Sequence, residues 1–407
     1  MIEHNTVEYR RVIISLALGS FLIFCNLYYF QPILPLLSQS LSISETTSNW
    51  IFAASTLALS VCLVPWAICS ESVGRRKIML IGLFAMPFIG ISLVLGNSFY
   101  ALILGRAVMG IAIAAFASVA VAYMVEELHS TAFSHAIGVY IAANSLGGIA
   151  GRILGGTLTE LYGWKHAVLL IALLTVAGAI AVYKLLPAQK QFKPQKGLFF
   201  HHNKAVIKHL QNRRVWFAML IGAANFALFV NVYTVMGFRL VAPPHDLTIG
   251  LASLIFLCYL AGTVSSTFSG KWCSRRNPLH GMILGAFICF FGLLIAYFDT
   301  IPAMFMSLIL ISLGGFFTHT LAYSWVSQNA NEAKATATAL YLVHYYIGGS
   351  LGGFFLLYCW QSMSWLGVMI GGSALIAVIL LLSFALLKQH PRVADNSEKQ
   401  LVKVAAK

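Results

Sequence analysis

From Val12 to Leu387 the chain is a succession of apolar runs, each about 20 residues long, separated by short polar segments. Coiled as a helix, a run of that length matches the hydrocarbon thickness of a bilayer. Irregular backbone exposed to lipid would leave N–H and C=O groups unpaired, so the helix is the conformation open to each run. Composition agrees: 59% of residues are hydrophobic and 9% are charged, against about 25% charged in a soluble domain. The length leaves room for about twelve spans. The fold class expected is an all-α membrane protein.

The first span is read over about 12–37, bent at its far end by Pro32 and Pro35. Arg10 and Arg11 precede it as in a signal peptide, but it is too long for a signal core and is expected to be retained. Further spans are read over about 47–70, 78–95, 100–125, the run around 139–156 and 164–186. Residues 188–214 then break the pattern with Lys190, Lys193, Pro194, Lys196, Lys204, Lys208, Arg213 and Arg214. Six more spans follow, near 215–238, 247–270, 279–298, 301–326, 335–360 and 365–387. The organisation expected is a six-helix bundle over 1–187, a basic linker over 188–214, a second bundle over 215–388 and a polar tail over 389–407. Within the linker, 198–210 places Phe200, Ile207 and Leu210 near one face and Lys204 and Lys208 on another. Two readings stay open, an interfacial helix and a disordered basic segment.

The formal net charge is +14. In a soluble chain that would suggest nucleic acid; here the basic residues gather in alternate loops, so no nucleic-acid partner is expected. Arg10, Arg11, Arg75, Arg76, Lys77, Lys184, the linker set, Lys271, Arg275, Arg276, Lys334 and the tail fall on one side, with Lys165 and Arg239 on the other. The positive-inside rule puts both termini and the linker in the cytoplasm. The seven cysteines form no Cys-x-x-Cys pair and read as small hydrophobes. No metal site and no cofactor is expected.

The fifth run contains Ser145-Leu-Gly-Gly-Ile-Ala-Gly-Arg-Ile-Leu-Gly-Gly156. On a helix, Gly147, Gly151 and Gly155 form one stripe, and Gly148, Arg152 and Gly156 the next, with Asn144 a turn below. Such stripes let another helix approach closely, and they are expected to leave the Arg152 guanidinium unobstructed. A charge at the centre of a span costs roughly 3 kcal/mol on insertion scales. The run recurs as Tyr345-Tyr-Ile-Gly-Gly-Ser-Leu-Gly-Gly353, with Gly353 in the place of Arg152. One constant offset also aligns Tyr140 with Tyr341, Gly151 with Gly352 and Trp164 with Trp365. Two such halves joined by a basic linker are the parallel-repeat layout of a secondary transporter.

Glu71-Ser-Val-Gly74-Arg75-Arg76-Lys77 resembles the loop 2–3 signature of the major facilitator superfamily, with Ala67, Cys69 and Glu71 where that signature has Gly, Leu and Asp. Arg106-Ala-Val-Met-Gly110 resembles the family's fourth-helix motif. Gly147-x-x-x-Gly151-Arg152-x-x-Gly155-Gly156 resembles the fifth-helix motif of the drug:proton antiporter branch, with Arg152 where that motif has Pro. Gly270-Lys-Trp-Cys-Ser-Arg-Arg-Asn277 is a degenerate second copy of the loop signature. Asn26-Leu-Tyr-Tyr-Phe-Gln-Pro-Ile-Leu-Pro35 is similar to a pattern of the YnfM-like bacterial inner-membrane transport proteins. The resemblance implies a twelve-helix fold of two pseudosymmetric bundles working by alternating access. It also implies a gate in which Glu71, Gly74, Arg75, Arg76 and Glu126 hold the cytoplasmic end closed in the outward-open state, and a structural role for the fourth-helix arginine.

All twelve acidic residues lie in tails, loops or helix ends, which argues against a cationic drug as main substrate. His319 and His344 remain as proton carriers, since histidine titrates in the useful range; a packed, uncharged role is the alternative for each. Arg152 is the leading candidate to meet an anionic or strongly polar substrate, and Arg106 is a weaker one, favoured as a strut or in a coupling role. Asn26, Tyr29, Asn144, Asn225, Asn231, Tyr233 and Tyr345 are candidate pocket residues, each also readable as interhelical glue. The function expected is secondary active transport of a small organic solute across the inner membrane, driven by a proton gradient, by a monomer in the lipid bilayer. Multidrug efflux by antiport is the main alternative and a transporter-derived sensor a lesser one. No nucleophile–base pair or carboxylate dyad points to an enzyme.

Overall fold

The computed structural model describes residues 1–96, 98–192, 194, 199–330 and 332–389. Eleven helices are long and apolar enough to cross a membrane. They are α1 (Val7–Ser40), α2 (Glu45–Val73), α3 (Arg75–Leu95), α4 (Phe99–Glu127), α5 (Ser130–Tyr162), α6 (Trp164–Leu185), α7 (Arg213–Val241), α8 (Ile249–Cys273), α9 (Pro278–Ile295), α10 (Ile301–Asn329) and the stretch Lys334–Lys388. That last stretch leaves helical geometry at Met363 and Ser364. It is therefore two spans, α11 (334–362) and α12 (365–388), which makes twelve among the described residues.

Helix starts fall where a short polar side chain can cap them. Ser44 accepts from Thr47 N at α2, Ser98 from Ala101 N at α4, Thr248 from Leu251 N at α8 and Asn277 from Leu279 N at α9. Each satisfies one of the backbone donors that a first turn leaves open. The turn between α2 and α3 depends on Gly74, whose φ of +109° suits a residue without Cβ.

The glycine stripes define how each half packs. A Cβ at Gly147, Gly151 or Gly155 would meet the backbone of Phe21, Cys25 or Tyr29 on α1 at 2.1–2.5 Å. In the second half, a Cβ at Gly348 or Gly352 would meet Ala223 or Ala227 on α7. So α5 lies directly on α1, and α11 lies on α7 in the same register.

Helix α1 is not continuous. Pro32 and Pro35 have no N–H to donate; the α-helix stops at Tyr28, Gln31–Ile33 form a 3₁₀ turn, and Leu34–Ser40 resume. Gln31 sits in that turn, deep in the protein, at 2% exposure.

The N-terminus, the linker and the loops after α2 and α4 share one end of the molecule, here the proximal end. Ile2 N donates to Glu127 O, and the Glu127 carboxylate accepts from Lys190 N and Gln191 N. The linker contains a helix, Phe199–Gln211. Ile207 and Leu210 are exposed on it, and Lys208 Nζ reaches Glu332 Oε1 at 2.5 Å. Lys193, Lys196, the predicted helix start at Leu198, the Phe200 side chain and the tail from residue 390 lie outside the described residues.

Hydrogen bonds that join the two halves cluster from mid-bundle to the opposite, distal end. Thr46 Oγ1 donates to Gln361 Oε1 (2.8 Å), Thr56 Oγ1 meets Ser350 Oγ (2.6 Å) and Gly250 N donates to Glu160 Oε2 (2.6 Å). Nearer the middle, Ser145 Oγ meets Thr263 Oγ1 (2.9 Å). The distal end is closed.

Candidate functional site

Arg152 and Gly353 occupy equivalent places in the repeat, and the structure gives each a different neighbour. A Cβ on Gly353 would lie 2.4–2.7 Å from the Asn49 side-chain amide of α2. The seam there is filled from the other half. On the other copy of the seam, Arg152 fills the space itself. Its Nε donates to Gln31 Oε1 (2.7 Å) and Nη1 to its own helix at Gly148 O (3.0 Å). The guanidinium carbon lies 3.7 Å from the ring centroid of Tyr28, 5.0 Å from Phe256 and 4.7 Å from Tyr259. Two of those rings come from α8, so Arg152 stands between the halves.

This corrects one expectation. Arg152 is not bare: it is 2% exposed and enclosed by three rings. The glycines beside it are mostly taken up by packing, with Gly156 against Ser253 and Ile249 O of α8 and Gly148 alone facing the guanidinium. The ring faces offer cation–π attraction, which offsets part of the desolvation cost without neutralising the charge. None of the described ion pairs includes Arg152.

Arg106 is different in kind. Nη1 donates to Asn26 O (3.0 Å), Nη2 to Leu27 O (2.6 Å) and Ser55 Oγ (2.7 Å), and Nε to Ile51 O (3.1 Å). The first two carbonyls belong to the last turn before the break in α1. The arginine supplies donors where proline has interrupted the helix, and it is fully buried.

The remaining candidates do not converge on one place. Asn26 Nδ2 bonds Thr175 Oγ1 of α6, Asn225 Nδ2 bonds Gly315 O of α10, and Asn231 Nδ2 bonds Gly349 O of α11. Each joins helices of its own half. Tyr29 is buried against Phe30. Tyr233 hydroxyl donates to Leu308 O, while its ring stacks on Phe256 and reaches Tyr259, which brings it to the rim of the Arg152 cage. Asn144 is half-buried, with Oδ1 unpartnered. Tyr345, half-buried, stacks on Phe226 at 3.9 Å and lies 4.3 Å from the His319 ring. His319 Nδ1 pairs with the Tyr341 hydroxyl at 2.9 Å, and His344 Nδ1 lies 2.8 Å from Leu340 O of its own helix.

At the proximal end, Arg75 makes a double contact with Glu126 Oε1, Nε at 3.0 Å and Nη2 at 2.8 Å, and lies 3.9 Å from Glu71. Arg76 donates to Leu186 O and Tyr183 O at the end of α6. These partners of Arg75 and Arg76 belong to the first half.

Tyr28, Gln31, Phe256 and Tyr259 complete the Arg152 site and are absent from the residues expected from sequence. Tyr28 and Gln31 are three apart on α1, a spacing that places both toward one neighbour. The two α8 aromatics give no such signal, because a ring in an apolar span reads as packing.

Two pseudosymmetric six-helix halves, closed at one end around a buried guanidinium, define a membrane transporter of the two-bundle type. Residues 16–353 match the family model of the Major Facilitator Superfamily, and the chain belongs to that family. It is 30% identical over 392 residues to the "Inner membrane transport protein YnfM" of Escherichia coli (strain K12), covering 94% of this chain and 91% of that one. It is 28% identical over 404 residues to the "Uncharacterized MFS-type transporter YybF" of Bacillus subtilis (strain 168), covering 98% and 99%. Among solved structures it is similar to a bacterial homologue of the human lysosomal transporter Spinster, inward-facing and unoccupied. The TM-score there is 0.72 at 15% identity, over 95% of this chain and 99% of that one. The human organic anion transporter MFSD10 gives a TM-score of 0.68 at 17% identity, over 92% and 99%. Identities this low show the fold alone.

Proposed function

We propose that this protein carries a small organic solute bearing an acidic or strongly polar group across the bacterial inner membrane by alternating access, and that Arg152 binds that group. The carrying observation is a buried guanidinium between the two halves, with three aromatic rings around it and none of the described ion pairs. A charge held in that way retains its attraction for an oxyanion, and guanidinium geometry favours two-point contact. Arg106, with four acceptors already in place, acts as a strut for the α1 break.

In this reading both termini and the linker are cytoplasmic, which the distribution of Lys and Arg supports. Proton coupling falls to His319 or His344, histidine being the side chain that changes charge near neutral pH. Gly74, Glu71, Arg75, Arg76 and Glu126 set the proximal gate. In this reading the protein acts as a monomer and not as an enzyme; that its relatives are transporters supports the second point.

The test is a thermal-shift screen of purified protein against anionic, neutral and cationic metabolites. Stabilisation by anions, lost in Arg152→Gln, is the expected result. Stabilisation confined to lipophilic cations would favour drug:proton efflux and overturn the anion reading.

A further inference from the structure

Gln31 has a second set of partners. Its Nε2 donates to Val230 O (3.0 Å) and to Thr234 Oγ1 (2.8 Å), both on α7 of the other half. Its Oε1 accepts from Arg152 Nε. The amide orientation is thereby fixed by chemistry: guanidinium N–H groups can only donate and the Val230 carbonyl can only accept, so a flipped amide would lose both contacts. Gln31, Arg152 and Thr234 are each 2% exposed. The side chain sits in the 3₁₀ turn of α1, at a break between two helical segments.

We infer that Gln31 reports the occupancy of Arg152 to the distal gate. An oxyanion arriving at Arg152 competes for the N–H that now holds Oε1. Once released, the amide no longer has a fixed orientation, and its two bonds to α7 weaken. Those bonds join the halves on the closed side, together with Thr56–Ser350 and Thr46–Gln361. Binding at Arg152 therefore favours the state in which the distal end opens. A ligand can shift such an equilibrium only through contacts that differ between the two states, and this exchange of partners is such a difference. The inference rests on the reading of Arg152 as an anion site.

The test uses conformation alone and needs no identified ligand. Ser350→Cys places a thiol in the closed seam, where Ser350 is fully buried. Its maleimide labelling in nanodiscs, read at that peptide by mass spectrometry, reports distal opening. Gln31→Glu gives Arg152 a permanent carboxylate and removes both donors to α7, so it imitates the occupied state. It is expected to raise labelling about tenfold, a typical coupling between sites. Thr234→Val, a milder change made from the other half, is expected to raise it about threefold, the effect of losing a single interhelical bond. Arg152→Gln is expected to raise it as well, and to add nothing in a Gln31→Glu background. Unchanged labelling in Gln31→Glu and Thr234→Val, with both variants folded by melting temperature, would overturn the relay. So would additive effects of Arg152→Gln and Gln31→Glu. Either result leaves anion binding to be judged by the thermal-shift screen, so the two claims fail separately.

Discussion

Arg106 and Arg152 look alike in the sequence, two lone cations in apolar runs, and the structure separates them by what they touch. Arg106 donates to Asn26 O and Leu27 O, in the last turn before the break in α1, and to Ile51 O and Ser55 Oγ on α2, at 2.6–3.1 Å. Removing it leaves buried carbonyls unpaired at about 1–3 kcal/mol each, less what the bilayer-embedded chain recovers elsewhere. Arg106→Gln is therefore expected to lower the melting temperature in detergent by about 4 °C, roughly what 3 kcal/mol gives in a chain of this size. A wild-type melting temperature would show that the break in α1 does not depend on this residue. Another residue-scale effect lies outside the membrane. Asp299, in the loop before α10, accepts from His245 (2.9 Å) and from Arg239 (2.7 Å). The hydrogen bond from His245, followed by that from Arg239 and by their charges, holds its carboxyl below the usual aspartate range. A depressed carboxylate contributes stability above its unfolded pKa of about 3.9, and the contribution is lost as pH falls through the folded value. The acid side of a melting-temperature profile should therefore flatten in Asp299→Asn below about pH 4. An identical profile would mean that the loop contact carries no linkage. Because the carboxylate is 53% exposed, screening keeps the effect small.

At the scale of elements, the glycines carry the most information. The repeat in sequence turns out to be a repeat in contact: α5 against α1 and α11 against α7, backbone to backbone. Gly74 belongs to another category. A Cβ there would find no atom closer than Gln189 Oε1 at 3.4 Å, so space is not the constraint; its φ of +109° is. Gly74→Leu is expected to strain the α2–α3 turn by about 1–3 kcal/mol and to cut transport while membrane insertion persists. Glu71→Ala is expected to slow transport with less effect on stability. Normal transport rates in both would leave the loop a device for topology only. The sequence made the stripes and the turn legible because each depends on a residue type at a fixed spacing. It did not reveal that Gly156 packs on Ser253, or that α8 supplies the rings over Arg152, since a contact between halves leaves no periodic trace in either one.

At the scale of the whole molecule, apolar runs and basic loops were enough for the fold, and the limits of that reading are physical as well. Composition marks where a helix can exist but not where it bends, so the interruption of α1 appeared as a kink and not as a 3₁₀ turn that presents Gln31 to α7. The cost of a buried charge could be read from sequence, whereas the cage that offsets it is assembled from α1 and α8. Orientation also belongs to this scale. A cysteine introduced at residue 396 should react with maleimide only after the membrane is made permeable, and labelling of intact cells by an impermeant reagent would reverse the topology.

The central claim is that Arg152 binds the solute and is not merely packed. It is tested most directly in proteoliposomes, with the anion selected by the thermal-shift screen, by comparing wild type with Arg152→Lys and Arg152→Gln. The account predicts that Arg152→Gln loses about 100-fold or more in transport, as expected when a charged, hydrogen-bonded contact worth roughly 3 kcal/mol is removed. Arg152→Lys should be intermediate, because an ammonium cannot reproduce the two-point contact. Both variants should keep a melting temperature within about 2 °C of wild type, because the rings of the cage remain in place. Wild-type affinity in the transport that Arg152→Gln retains, together with a collapsed melting temperature, would contradict it.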